Sequence, residues 1–241
     1  MKIKGLKINY VQYGNKKKKD VVLLHGWGQN ISMMDLIGKK LESECYITNI
    51  DLPGFGDSEE PKEAFTIYDY ANIVKEVLKE LKIKDPIMVG HSLGGSVSIV
   101  YSSENNIDRL VLLGSPFKRK DRRNSLKSRF FKFLKKIPIL NKLEEFGKQL
   151  FGSSDYKRAS KIMRDTLVNI VNEDISDNLY KIEKPTLLIW GSNDMAANIE
   201  DAKEAENKMK DAALIEYEGC GHYAYLEKLD QTVEVIKAFI K

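Results

Sequence analysis

Gly90-His91-Ser92-Leu93-Gly94 is the stretch of this chain most suited to chemistry. It follows the apolar run Pro86-Ile87-Met88-Val89 and precedes a helical pattern. A serine hydroxyl is a weak nucleophile until a base takes its proton. It must also stand clear of the backbone to reach an electrophile. A sharp turn between a strand and a helix lifts Ser92 out, at the expense of a strained backbone angle. Gly90 and Gly94 let the strand and the helix pass closely.

A base, an acid and oxyanion donors must accompany such a serine. The chain has three histidines. His91 adjoins Ser92, and the turn directs its side chain away from the hydroxyl. His25 stands at the end of an apolar run, in His25-Gly26-Trp27-Gly28. His222 lies in the loop Gly219-Cys220-Gly221-His222. A carboxylate should fix the tautomer of the base. Asp194, in Trp190-Gly191-Ser192-Asn193-Asp194, closes an apolar run, where a rigid sheet presents functional side chains. Asp201 is its local rival but falls within a helical pattern, and Gly114-Ser115-Pro116 after the earlier run offers no acid. Developing negative charge on a carbonyl oxygen calls for preorganised N–H donors. The backbone amide of Leu93, at a helix N-terminus, is one candidate, and that of Trp27 is the other.

The remaining pattern supplies elements to hold these residues. Ile3 to Tyr13 alternates loosely, which predicts two antiparallel edge strands. Short apolar strands are predicted at Val21–Leu24, Tyr46–Ile50, Ile87–Val89, Arg109–Leu113, Thr186–Trp190 and Ala213–Tyr217. Helices are predicted between them: 32–41, about 66–81, 93–103, 199–209 and 232–240. Thr66 followed by Asp69 reads as a capping box. From Phe117 to Tyr180 the strand pattern stops and the chain reads as helical and basic. The expected fold is α/β: a mostly parallel, doubly wound sheet with a helical cap insertion. Residues 1–115 and 181–241 form its core and 116–180 its cap.

Taken in order, His25-Gly26-Trp27-Gly28, Asp51-Leu52-Pro53-Gly54-Phe55-Gly56-Asp57-Ser58, Gly90 to Gly95, Gly191 to Asp194 and Gly221-His222 resemble the α/β-hydrolase fold superfamily. The branch they resemble is that of small bacterial serine esterases and carbon–carbon hydrolases. The resemblance implies the chain order nucleophile, acid, base. Only His222 comes late enough to be the base, so Ser92, His222 and Asp194 become the expected catalytic residues, with Trp27 and Leu93 as oxyanion donors. One departure stands out: members often carry Asp-x-x-x-Pro after the acid, and here Asp194 is followed by Met195-Ala196-Ala197-Asn198. The expected reaction is hydrolysis of carboxylic esters with small or medium acyl chains. Carbon–carbon hydrolysis and hydrolysis of a carrier-bound acyl ester share the same residues, and a non-enzymatic small-molecule receptor on this fold is the remaining alternative. Met33, Met34, Phe117, Met195 and Tyr223 flank these elements and are read as an apolar substrate pocket, with plain core as the alternative.

Charge is distributed unevenly. The net charge is +4, yet Lys118 to Lys136 holds ten Lys/Arg and one acid, which leaves the remainder near −5. The plain reading is a cap helix with a solvated basic face. The His-Gly-Trp-Gly and Asp-Leu-Pro-Gly-Phe-Gly motifs are also similar to those of the carboxylesterases of biotin synthesis. That resemblance implies an acidic carrier protein as partner, docked through Arg119, Arg122, Arg123 and Arg129. Peripheral contact with an anionic membrane is a third reading. No nucleic-acid motif accompanies the basic stretch. A dehalogenase would place aspartate where Ser92 stands, and a peptidase that binds a free amine would need an acidic cap.

At 241 residues and 42% hydrophobic, the chain reads as one globular domain. It has no apolar run long enough to span a membrane. Met1-Lys2-Ile3-Lys4-Gly5 lacks the apolar core of a signal peptide. Cys45 and Cys220 are read as reduced thiols, which together with the absent leader predicts a cytoplasmic protein. No metal-ligand spacing and no phosphate-binding glycine loop occurs, so neither metal nor cofactor is expected.

Overall fold

The computed structural model describes residues 1–119 and 159–241. Its strands are β1 (Lys2–Ile3), β2 (Leu6–Lys7), β3 (Tyr10–Gly14), β4 (Asp20–Leu24), β5 (Tyr46–Ile50), β6 (Ile87–His91), β7 (Arg109–Leu113), β8 (Thr186–Gly191) and β9 (Ala212–Tyr217). Its described helices, here α1 to α8, are Ile31–Leu41, Ile67–Glu80, Leu93–Glu104, Lys161–Asn172, Ser176–Leu179, Ile199–Lys208, Ala224–Glu227 and Leu229–Ile240.

Seven strands form one sheet in the order β3-β5-β4-β6-β7-β8-β9. β3 runs antiparallel to β5, and every other pair is parallel. The unbroken apolar runs follow from this position, since a central parallel strand is covered on both faces. Side chains alternate between those faces. Val22, Leu24, Met88, Leu110 and Leu112 join a core with α2, α3 and α6. Val21, Leu23, Ile87, Val89 and Val111 join a second core with α1 and α8. The sheet is therefore doubly wound, as the strand–helix alternation predicts.

Local signals set the helix boundaries. The Thr66 hydroxyl accepts from the Asp69 amide, and the Asp69 carboxylate accepts from the Thr66 amide, closing the capping box at the start of α2. Such a cap is worth about 1 kcal/mol. Tyr70, Ile73, Val74, Val77 and Leu78 then face the sheet. Capped by Asn30, α1 begins one residue before the predicted start, at Ile31, and α8 begins three residues early, at Leu229.

The N-terminus differs from expectation. Ile3 to Tyr13 is divided between two sheets: β1 and β2 form their own two-stranded sheet, and only β3 joins the main one. Lys4 and Gly5 adopt positive φ of 46° and 85°, which reverses the chain between β1 and β2. Among the described residues of the inserted stretch, α4 and α5 are helical. No described helix is long and apolar enough to cross a membrane.

Candidate active site

β6 runs into α3 with a single residue, Ser92, between them. Ser92 has φ 51° and ψ −117°, outside the ordinary left-handed well. A conformation of this kind costs of order 1–3 kcal/mol. The surrounding structure holds it: the Ser92 amide donates to Leu113 O at 3.0 Å, and its carbonyl accepts from Gly95 and Ser96. A side chain at Gly94 would collide with the Leu24 carbonyl, and one at Gly90 with the backbone of Gly94. Glycine at these two positions lets α3 start directly above the sheet.

The residues read as acid and base, Asp194 and His222, stand in the loops after β8 and β9, the last two strands of the sheet. Ser92 Oγ lies 3.0 Å from His222 Nε2. His222 Nδ1 lies 2.8 Å from Asp194 Oδ2. The strand-end turn bearing Asp194 is tied to the His222 loop, because the Asn193 amide donates to Cys220 O at 2.9 Å. With Nδ1–H donated to the carboxylate, Nε2 can accept the serine proton. Asp201, the rival acid, sits in α6 and pairs with Lys118 at 3.9 Å.

The departure after the acid has a structural reading. Asp194 Oδ1 accepts the amides of Ala196 and Ala197 at 2.7 and 2.9 Å. Ala197 O accepts the Trp190 indole N–H, and Asn198 caps α6. The Met195-Ala196-Ala197-Asn198 loop thus cradles the carboxylate without the proline.

Trp27 and Leu93 line the same cavity as Ser92. The Asp51–Ser58 motif supports the Trp27 side. The rings of Phe55 and Trp27 meet edge to face at 4.9 Å. The Asp51 carboxylate accepts the amides of Ile31 and Asp57 and the Asn9 side chain. His25 is fully buried, with Nδ1 donating to Gly26 O at 2.7 Å and Nε2 accepting the Leu52 amide at 3.0 Å. It joins the two loops and does not touch Ser92. His91 is equally buried and likewise faces away from Ser92.

Burial pushes the His25 pKa down to about 4. Burial, then the proximity of His222, pushes His91 well below the ordinary histidine value. Both folded-state values lie below the unfolded value, so the unfolded chain binds more protons as the pH falls. Stability should therefore drop as the pH falls through the ordinary histidine range, with the loss from His25 levelling off near pH 4. His25 alone contributes about 3 kcal/mol to this loss. Urea unfolding should show a lower midpoint at pH 5 than at pH 7, and equal midpoints would contradict this reading.

The cavity is partly open to solvent. Trp27, Ile67, Leu93, Phe117, Leu167 and Ile170 give it apolar walls, and Lys118 and Glu173 add charge. Of the five residues read as pocket, only Phe117 is among the described residues that line it. Met34 is fully buried in the core on the α1 face of the sheet, because its helical position points at Val21 and Leu23. Met33, one residue earlier on the helix, is half-buried and outside the lining. Met195 is 78% exposed, since the loop turns Ala196 and Ala197 toward the acid instead. Tyr223 is 38% exposed, and its hydroxyl accepts from Gln29. The walls that the sequence reading missed, Leu167 and Ile170, come from the apolar side of α4, where spacing of i, i+3 was the available signal.

Arg119 donates its backbone amide to Asp174, and Lys118 is ion-paired with Glu204. Arg122, Arg123 and Arg129 lie outside the described residues. Among the described residues, no group of His, Cys, Asp and Glu could hold a metal ion.

Residues 21–235 match the alpha/beta hydrolase family. AB hydrolase superfamily protein YisY of Bacillus subtilis is 26% identical, over 92% of this chain and 91% of its own length. Lipase 1 of Psychrobacter immobilis is 28% identical, over 98% of this chain and 81% of its own. Two solved structures share the fold. The enol-lactonase from Burkholderia xenovorans LB400 has a TM-score of 0.78 at 21% identity, covering 99% of this chain and 98% of that one. The esterase EaEST from Exiguobacterium antarcticum has a TM-score of 0.77 at 23% identity, covering 99% and 97%. The family match spans most of the chain, and the parallel sheet with its strand-end loops agrees with it: the chain belongs to the alpha/beta hydrolase family.

Proposed function

We propose that this chain is a serine hydrolase that cleaves carboxylic esters of small or medium acyl chains. The observation that carries this reading is the hydrogen-bonded series Ser92–His222–Asp194, with links of 3.0 and 2.8 Å, opening on an apolar cavity. Esterase, lipase and lactonase relatives on the same fold support it.

In this mechanism Ser92 Oγ attacks the ester carbonyl while His222 Nε2 takes its proton. The carbonyl oxygen gains the negative charge, which the amides of Leu93 and Trp27 stabilise. His222 then gives the proton to the departing alcohol oxygen, and the C–O bond breaks to leave an acyl-serine. Water, deprotonated by His222, attacks that carbonyl, and the proton returns to Ser92 Oγ as the acid leaves. Asp194 holds the His222 ring and stabilises its cationic form throughout. Phe117, Leu167 and Ile170, described residues of the inserted stretch, wall the acyl cavity.

Hydrolysis of a p-nitrophenyl ester series from acetate to palmitate tests the reading. Turnover should be greatest with short or medium chains, for which the apolar walls of Trp27, Ile67, Phe117, Leu167 and Ile170 form a seat beside Ser92. Absence of turnover on every member would overturn ester specificity.

A further inference from the structure

Gln29 sits where three loops of the site meet. Its Oε1 accepts the Gly26 amide at 3.0 Å, and Gly26 precedes Trp27. The same oxygen lies 3.2 Å from Nδ1 of His91, which precedes Ser92. Its Nε2 donates to the Tyr223 hydroxyl at 3.2 Å, and Tyr223 follows His222. One amide group thus touches the chain neighbour of the oxyanion loop, of the nucleophile and of the base.

The orientation of that amide is determined. Gly26 N–H can only donate, so Oε1 must face it, and Nε2 is left for Tyr223. His91 Nε2 also lies 3.1 Å from the His222 carbonyl, and because a neutral ring carries one N–H, His91 donates either to Gln29 or to His222. The His91 ring packs against His222 at 4.8 Å and Tyr223 at 5.2 Å between centroids. Gln29 is half-buried and is not among the described residues lining the cavity, so neither core packing nor substrate contact accounts for its amide.

We propose that Gln29 is a positioning residue that fixes the spacing between the oxyanion loop, Ser92 and the His222 loop. The inference rests on the reading of Ser92 as nucleophile. Each single hydrogen bond of this kind adds only about 1 kcal/mol to folding. A displacement of about 1 Å in the reacting groups, by contrast, can slow chemistry by about 100-fold. The effect of losing Gln29 should therefore fall more heavily on reactivity than on the fold.

The test is the rate at which a fluorophosphonate labels Ser92, which needs no knowledge of the natural substrate. Labelling forms the Oγ–P bond, breaks P–F, passes the serine proton to His222 and releases fluoride. Gln29→Leu should slow labelling roughly 10- to 100-fold, while the loss of hydrogen bonds worth about 1 kcal/mol each lowers the melting temperature by no more than about 10 °C, so the protein stays folded at the assay temperature. Gln29→Glu keeps the acceptor for Gly26 and His91 and lets the Tyr223 hydroxyl donate, so it should stay within about 5-fold of wild type. Labelling of Gln29→Leu within about 3-fold of wild type, or Gln29→Glu as slow as Gln29→Leu, would overturn the proposal alone. A wild type that is not labelled, or Ser92→Ala labelled as fast, would overturn the nucleophile reading and this inference with it.

Discussion

Changing Ser92 to alanine should lower kcat for ester hydrolysis by about four to six orders of magnitude. The substitution removes Oγ, the atom 3.0 Å from His222 Nε2, and leaves Cβ in place. Any remaining rate would come from the oxyanion donors and from binding alone. The fold should survive, because the positive φ of 51° is held by backbone hydrogen bonds to Leu113, Gly95 and Ser96 that alanine retains. Initial rates on the preferred p-nitrophenyl ester, paired with thermal unfolding, separate the two quantities. A variant that unfolds at the wild-type temperature and yet hydrolyses ester within tenfold of wild type would exclude Ser92 as nucleophile.

Asp194→Asn should be nearly as damaging, lowering kcat by about 10⁴-fold with little change in KM. Asparagine preserves the shape of the site. Its Oδ1 can still accept the amides of Ala196 and Ala197, which fixes the side chain as those amides fix the aspartate. The atom that replaces Oδ2 then becomes an NH2 group facing His222 Nδ1. A donor there moves the ring proton to Nε2, which can no longer accept from Ser92. The cationic form of His222 also loses its counter-charge. Steady-state kinetics on the same ester would measure the loss, and a decrease of less than about tenfold would mean that Asp194 does not orient the base.

The parts of the site that were legible in the sequence share a physical cause. Ser92, Asp194 and His222 each stand in a strand-end loop marked by glycine, and a parallel sheet gathers such loops at one edge. The strands themselves were legible because burial on both faces demands unbroken apolar runs. Of the cavity walls Phe117 was legible, but Ile67, Leu167 and Ile170 were not assigned to it: the apolar i, i+3 spacing of α4 marks a buried face, and only folding decides that this face meets Ile67 and Phe117. Met34 illustrates the same limit: a methionine beside the site in sequence is turned into the core by the phase of α1. The N-terminal reversal at Lys4-Gly5 was hidden because two-residue strands barely establish an alternation. Gln29 carried no pattern at all, since its value lies in three partners distant from one another in the chain.

Covalent capture of the acyl group tests the central claim most directly. The wild-type protein would be mixed with its preferred p-nitrophenyl ester, quenched in acid during turnover, digested and weighed by mass spectrometry. The expected result is an acyl group on the peptide that contains Ser92, absent from Ser92→Ala. Ester turnover with no acylated Ser92 peptide, and with Ser92→Ala equally active, would contradict the mechanism.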